Sequence, residues 1–183
     1  AWVSDDARVY GDARVFGDAR VFGNAWVYGD ARVYGDAEVY GDARVYGDAW
    51  VSGDAWVFGN AWVYGDAQVY GDAQVYGDAR VYGDAQVYGD AQVYGDAQVY
   101  GDALVDKVGA IFWIGAIGSR NDTTTFFKCA DSKIRVKCGC FFGDLDEFAD
   151  KVKQTHGDNE FGRVYRLAIE MAKERISAAE VKP

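Results

Sequence analysis

A six-residue rhythm governs the first part of this chain. Gly recurs at every sixth position from Gly11 to Gly101, 16 times without a gap. Asp or Asn follows each Gly, then Ala, a variable residue, Val, and usually Tyr or Phe. Self-similarity at a fixed short period is the signature of a stacked repeat. Side chains of a strand alternate between its two faces. In Ala31-Arg32-Val33-Tyr34, Ala31 and Val33 therefore point one way and Arg32 and Tyr34 the other. Small apolar Ala and Val belong inside. Gly tolerates positive φ, and Asp hydrogen-bonds nearby amides, so Gly-Asp turns the chain. Four strand residues and a two-residue corner make one side, and three sides close a triangle. A single coil leaves its backbone groups unpaired. Stacked coils pair them at about 4.8 Å per coil, so roughly six coils span on the order of 30 Å.

Residues three repeats apart share a side. One side carries an unbroken ladder of Tyr10, Tyr28, Tyr46, Tyr64, Tyr82 and Tyr100. Beside it run Arg8, Trp26, Arg44, Trp62, Arg80 and Gln98. The second side carries Ser4, Phe22, Tyr40, Phe58, Tyr76 and Tyr94. The third carries Phe16, Tyr34, Ser52, Tyr70, Tyr88 and Asp106. Aromatics of this kind cover a sheet and stack across strands. A flat face of Tyr, Trp and Arg also has the composition of a contact hot spot. The unbroken Tyr side, with Trp26, Trp62, Arg44 and Arg80, is therefore the candidate oligomer interface. The corner residues form axial lines. Asn24 and Asn60 interrupt a line of Asp6, Asp42, Asp78 and Asp96, where stacked carboxylates repel one another. Carboxylate rows can hold divalent cations. Asx turns that cap the local backbone are the favoured use of these residues.

With Val15, Val33 and Val69 as its aliphatic series and Ala19, Ala37 and Ala73 four residues later, the segment resembles the hexapeptide-repeat, left-handed parallel β-helix family. Tyr or Phe stands where that family often has a small or acidic residue. The resemblance implies a left-handed β solenoid over residues 1–106 and a homotrimer of parallel prisms. Two activities that accompany such coils need histidine: acyl transfer uses a His base, and the family's carbonic anhydrases use three His zinc ligands. The repeats hold no His, and the chain holds one, His156. Neither activity fits. Ice binding needs flat Thr ladders, and the repeats hold no Thr.

Charge divides the chain. Residues 1–106 hold 17 Asp and one Glu against six Arg, a net of −12. Residues 107–183 hold 11 acids against 13 Lys and Arg, a net of +2. The acidic coils repel nucleic acid, whereas the C-terminal part accepts an anion. No apolar run reaches the length of a membrane span. Cys129, Cys138 and Cys140, an odd number, fit a reducing, cytoplasmic compartment better than a disulfide framework. The chain opens at Ala1 in mid-repeat, which suggests a natural start further upstream.

Residues 107–183 read as a small α+β module. Lys107–Gly118 is a buried strand or a last irregular coil that plugs the prism. Thr123–Ala130 and Ile134–Phe142 form a β-hairpin around Asp131-Ser132-Lys133. Asp144 with Glu147 makes a capping box for a first helix that Gly157 stops. Asp158 or Asn159 caps a second, with Phe161, Val164, Tyr165, Ala168, Met171, Ala172 and Ile176 as its apolar stripe. The module resembles C-terminal segments of repeat proteins from bacterial phages and prophages, a resemblance that supplies no activity.

The candidate ligand-binding loop is Ser119, Arg120, Asn121, Asp122, Thr123 and Thr124. Arg forks onto phosphate or carboxylate, and hydroxyls with loop amides complete an anion site. A solvated loop held by its own Asn, Asp and Thr hydrogen bonds is the competing reading. Cys138-Gly139-Cys140 puts both thiols on one strand face. With Cys129 and His156 the ligand types suffice for zinc, but the spacing is wrong for a structural site, so no metal and no cofactor are expected. A Cys140–His156 nucleophile and base pair is the enzymatic alternative. The leading expectation is a non-enzymatic phage-associated homotrimer. Its module binds a partner such as a host protein, or a small anionic, nucleotide-like ligand. An acidic mimic that occupies a host nucleic-acid-binding protein and a virion structural rod are the alternatives.

Overall fold

The computed structural model describes residues 1–178, which divide into two compact units, Ala1–Val108 and Gly109 onward. The first is a parallel β-solenoid of about six coils. Its strands form three six-stranded parallel sheets, and each strand pairs with the one three repeats later. The register is Trp2↔Arg20, Val3↔Val21, and so on along the chain. Each residue therefore sits on its counterpart 18 residues away.

The strands are shorter than the alternation predicts. Most span two residues, the variable position and Val, as in Arg32–Val33; Arg44–Gly47 and Trp62–Gly65 extend to four. The flanking residues still join the ladder. The Tyr28 amide donates to the Val45 carbonyl at 3.0 Å, and the Asp30 amide to the Gly47 carbonyl at 3.0 Å. Corners as well as sides are thus hydrogen-bonded from coil to coil, which leaves few orphaned backbone groups.

Gly is needed at the corner for two reasons that coincide. Gly35 has φ +71°, a region costly to other L-residues. A Cβ there would also meet the Gly53 amide nitrogen at 2.9 Å. The interior is Ala and Val alone, wholly buried from Ala19 to Val99. Small side chains fill it because three sides of so few residues leave no room for larger ones.

The second unit is a four-stranded antiparallel sheet with two helices. The strands run Ile111–Ile117, Asp122–Lys128, Ile134–Cys138 and Phe141–Asp144, paired in that order. Of the two readings of the apolar Lys107–Gly118 segment, the strand holds: the chain enters through a short 3-10 turn, Val108–Ala110, and Ile111–Ile117 is the first strand of this sheet. The hairpin expectation changes, because there is no single hairpin ending at Phe142. The chain reverses at Gly139, φ +55°, and Phe141–Asp144 returns along Ile134–Cys138. Hydrophobic periodicity counts apolar residues and cannot see a reversal inside an apolar run.

Helix α1, Leu145–His156, starts on the expected capping box: the Glu147 amide donates to Asp144 Oδ1 at 2.9 Å, and the Asp144 amide to Glu147 Oε2 at 2.9 Å. Gly157 ends it. Helix α2, Glu160–Ala178, is capped by Asn159, whose Oδ1 accepts from the Gly162 amide at 2.9 Å. The core joins Phe126 and Val136 of the sheet to Phe148, Val152, Tyr165, Ala168, Ile169, Ala172 and Ile176. Met171 is not in this stripe; it is 54% exposed, and Ile169 takes the inward place.

Candidate functional site

Two regions carry chemistry, one in each unit. In the second unit, the loop singled out by sequence is a tight turn. The Asn121 amide donates to the Gly118 carbonyl at 3.2 Å, and both residues have positive φ. Ser119 and Arg120 are exposed at its tip. Asp122 begins the next strand and accepts from the Thr123 amide at 2.7 Å. Thr124 turns inward, fully buried, and its hydroxyl donates to Cys138 Sγ at 3.2 Å. The six residues therefore do not converge on one point. Much of their hydrogen-bonding capacity is spent locally.

What gathers instead is a small cluster under that turn. Tyr165 Oη lies 3.7 Å from Cys138 Sγ. Tyr165 also stacks on His156 at 5.7 Å and meets Phe148 edge-on at 5.6 Å. Burial holds its phenol far above the usual tyrosine range, with the neighbouring Cys138 adding to the shift. Gly118 is part of this arrangement, because a Cβ there would overlap the Tyr165 ring and hydroxyl. Arg120 Nη1 sits 3.9 Å from Cys140 Sγ. The two thiols do not share a strand face: Cys138 is half-buried at a strand end, while Cys140 is exposed on the turn. Cys129 is buried. His156 pairs with aromatic rings, not with Cys140, among the described contacts. Among the described residues no three potential ligands group as a metal site would require. The sequence signal for this cluster was weak, because Cys138 and Tyr165 lie 27 residues apart.

The solenoid offers the more ordered surface. The Tyr ladder stacks ring on ring, with centroids 5.1, 4.7, 4.9, 4.9 and 4.6 Å apart from Tyr10 to Tyr100. The second side stacks Phe22 to Tyr94 at 4.8–5.0 Å. The third breaks at Ser52, leaving Phe16–Tyr34 and Tyr70–Tyr88. Beside the Tyr ladder, cations and indoles alternate. Arg8 and Arg44 lie over Trp26 at 5.2 and 5.3 Å, and Arg44 and Arg80 over Trp62 at 5.0 Å each. Each such contact is worth about 0.5–1 kcal/mol at an exposed site. The rings stack because the coil spacing equals the distance at which aromatic faces meet. In the corner line, Asn24 donates to Asp42 at 3.2 Å and Asn60 to Asp78 at 3.1 Å, which relieves carboxylate repulsion as expected.

Stretches 13–29, 37–53, 67–83 and 73–89 match the model of the YdcK beta solenoid repeat. These matches lie wholly in the coils and agree with their β-solenoid architecture. No curated protein and no solved structure matches the chain. No helix among the described residues is long and apolar enough to cross a membrane.

The ladder has a measurable titration. Burial pushes Tyr28, Tyr46 and Tyr64 above the ordinary value of 10.0, and Tyr82 up to about 12, with neighbouring Tyr residues adding to Tyr82. The folded state holds these protons more tightly than the unfolded chain. Their contribution to stability is complete below pH 10.0 and is lost as pH rises towards 12. Phenolate absorbance should therefore extend to higher pH in the native protein than in denaturant. Native and denatured titration curves that coincide would refute this.

Proposed function

We propose that the protein is a non-enzymatic scaffold, in which the solenoid assembles as a homotrimer through its Tyr side and so carries three copies of the C-terminal module. One observation carries the reading: a single side combines an uninterrupted Tyr stack with the alternating Arg–Trp row. Tyr10 is 47% exposed, and the other ladder Tyr residues are partly so. A contiguous aromatic face of this kind is unusual on a monomer, and Tyr, Trp and Arg dominate contact hot spots. The module's part in the proposal is recognition of a partner protein or an anionic, nucleotide-like group by Arg120 at the turn tip. Three linked copies raise avidity without strengthening any one contact. The phage association belongs to this proposal as the setting such a scaffold suits.

Light scattering tests the assembly. The expected mass at micromolar concentration is three times that of the chain. A single-chain mass rejects the scaffold reading.

A further inference from the structure

The aromatic ladder of the third side has one ring missing in mid-stack. Phe16 stacks on Tyr34 at 5.0 Å and Tyr70 on Tyr88 at 5.0 Å, but Ser52 stands in the coil between Tyr34 and Tyr70. The backbone there is regular. The Tyr34 amide donates to the Val51 carbonyl at 3.0 Å, and the Ser52 amide to the Val69 carbonyl at 2.9 Å. Val33, Val51 and Val69 keep the register of the stack. The gap is therefore a missing side chain and not a break in the fold. Ser4 also lacks a ring, but it lies in the first coil, where Phe22 walls it on one side alone.

Neighbouring side chains have not closed the gap. The two walls lie nearly parallel to their outer neighbours, at 5° and 4°, so neither ring has tilted out of its stack. Trp50 has not swung across either. It meets Tyr34 edge-on at 6.4 Å and 73°, just as Trp26 meets Tyr10 at 6.4 Å and 73° and Trp62 meets Tyr46 at 6.4 Å and 71°, where the ladder is complete. Gly53, the corner next to Ser52, is the exposed one among the corner glycines from Gly23 to Gly89. The slot between Tyr34 and Tyr70 thus spans two coil spacings, about 9.6 Å from ring to ring. A single ring fills such a space elsewhere in this chain: Tyr46 lies between Tyr28 and Tyr64 at 4.7 and 4.9 Å.

A flat ring entering from solvent would stack on two faces at once, in the offset-parallel contact that aromatic pairs favour. Unbroken stacks close the slot above and below, so it takes one ring and not a run of them. Charge narrows the class of ligand. On these three coils the flanking corners carry Asp30, Asp48 and Asp66 along one edge and Asp36, Asp54 and Asp72 along the other, all exposed. Arg32, whose guanidinium lies over Trp50 at 5.0 Å, is the one cation among them. Such a field concentrates cations and repels anions. We propose that the slot binds a small arylalkylamine, with its ring held between Tyr34 and Tyr70 over Ser52 and its ammonium directed outward to the corner carboxylates. The site lies on a different side from the Tyr ladder and does not depend on the assembly proposed above.

Tyramine is the probe, with neutral p-cresol and anionic p-hydroxyphenylacetate as matched controls. Magnetic saturation transferred from the full chain should reach the tyramine ring protons, with p-cresol bound more weakly and p-hydroxyphenylacetate more weakly still. Ser52→Tyr supplies the missing ring from the chain itself and should abolish the transfer with unchanged circular dichroism, whereas Ser52→Ala should keep it. Tyr34→Leu or Tyr70→Leu should weaken tyramine binding by about two- to tenfold, the worth of one stacked pair. Tyr40→Leu, on the second side, should leave it unchanged. The wall variants do not depend on how Ser52→Tyr packs, so they decide the matter if that chain misfolds. No transfer to tyramine, equal transfer in Ser52→Tyr, or a loss in Tyr40→Leu as large as in the wall variants would overturn the slot. An anion bound as tightly as the amine would overturn the assignment of the amine.

Discussion

Phe126→Ala should lower the stability of the C-terminal unit by about 3–5 kcal/mol, the usual cost of emptying a packed aromatic site. Phe126 is completely buried on the second strand of the sheet. It meets Phe112 at 5.8 Å and Phe148 of α1 edge-on at 6.1 Å, so one side chain joins strand to strand and sheet to helix. Few alternative packings can close the resulting gap, because Val136 of the sheet and Tyr165 and Ala172 of α2 belong to the same closely packed core. Denaturant unfolding followed by the helical signal checks this. A midpoint change worth less than about 1 kcal/mol would mean the site collapses freely.

Val63→Asp should cost about 4 kcal/mol or more, the range reserved for an unpaired charge in an interior. Val63 lies between Val45 and Val81 in the stack and is wholly buried. The interior beside it is Ala and Val, which offer no side-chain hydrogen bond. The expected damage is local first, because a coil touches only its neighbours. Limited proteolysis should therefore cut first among the coils near residue 63, and the folded fraction should fall with rising pH as the carboxyl ionises. Proteolysis no faster than in the parent would contradict the closed interior.

The assembly test and these core substitutions address separate links. The substitutions remove what holds each unit together and leave the exposed rows unchanged.

Much of the solenoid was legible in the order of residues. The period of six, the alternation of Ala and Val with outward residues, and Gly at each corner leave one economical way to pair the backbone. The Tyr ladder followed by counting, since the coil-to-coil register equals three repeats. The capping box at Asp144 and Glu147 was legible for the same reason: its partners are three residues apart and its chemistry is local. The C-terminal sheet was less so. Phe141–Asp144 continues an apolar run, and only the positive φ at Gly139 shows that the chain has reversed. Thr124 looked available in a polar string, but strand alternation turns it inward against Cys138.

The division follows the range of the interactions. Spacing alone determined the coil, its interior and its ladders, because each repeat meets a copy of itself and local preference fixes the contact. Only the tertiary structure decided that Arg44 lies between two indoles without an ion pair, that Tyr165 closes over Gly118, and that Cys138 and Cys140 part company at a turn. Those outcomes depend on which distant side chains compete for the same space, and no local pattern along the chain encodes that competition.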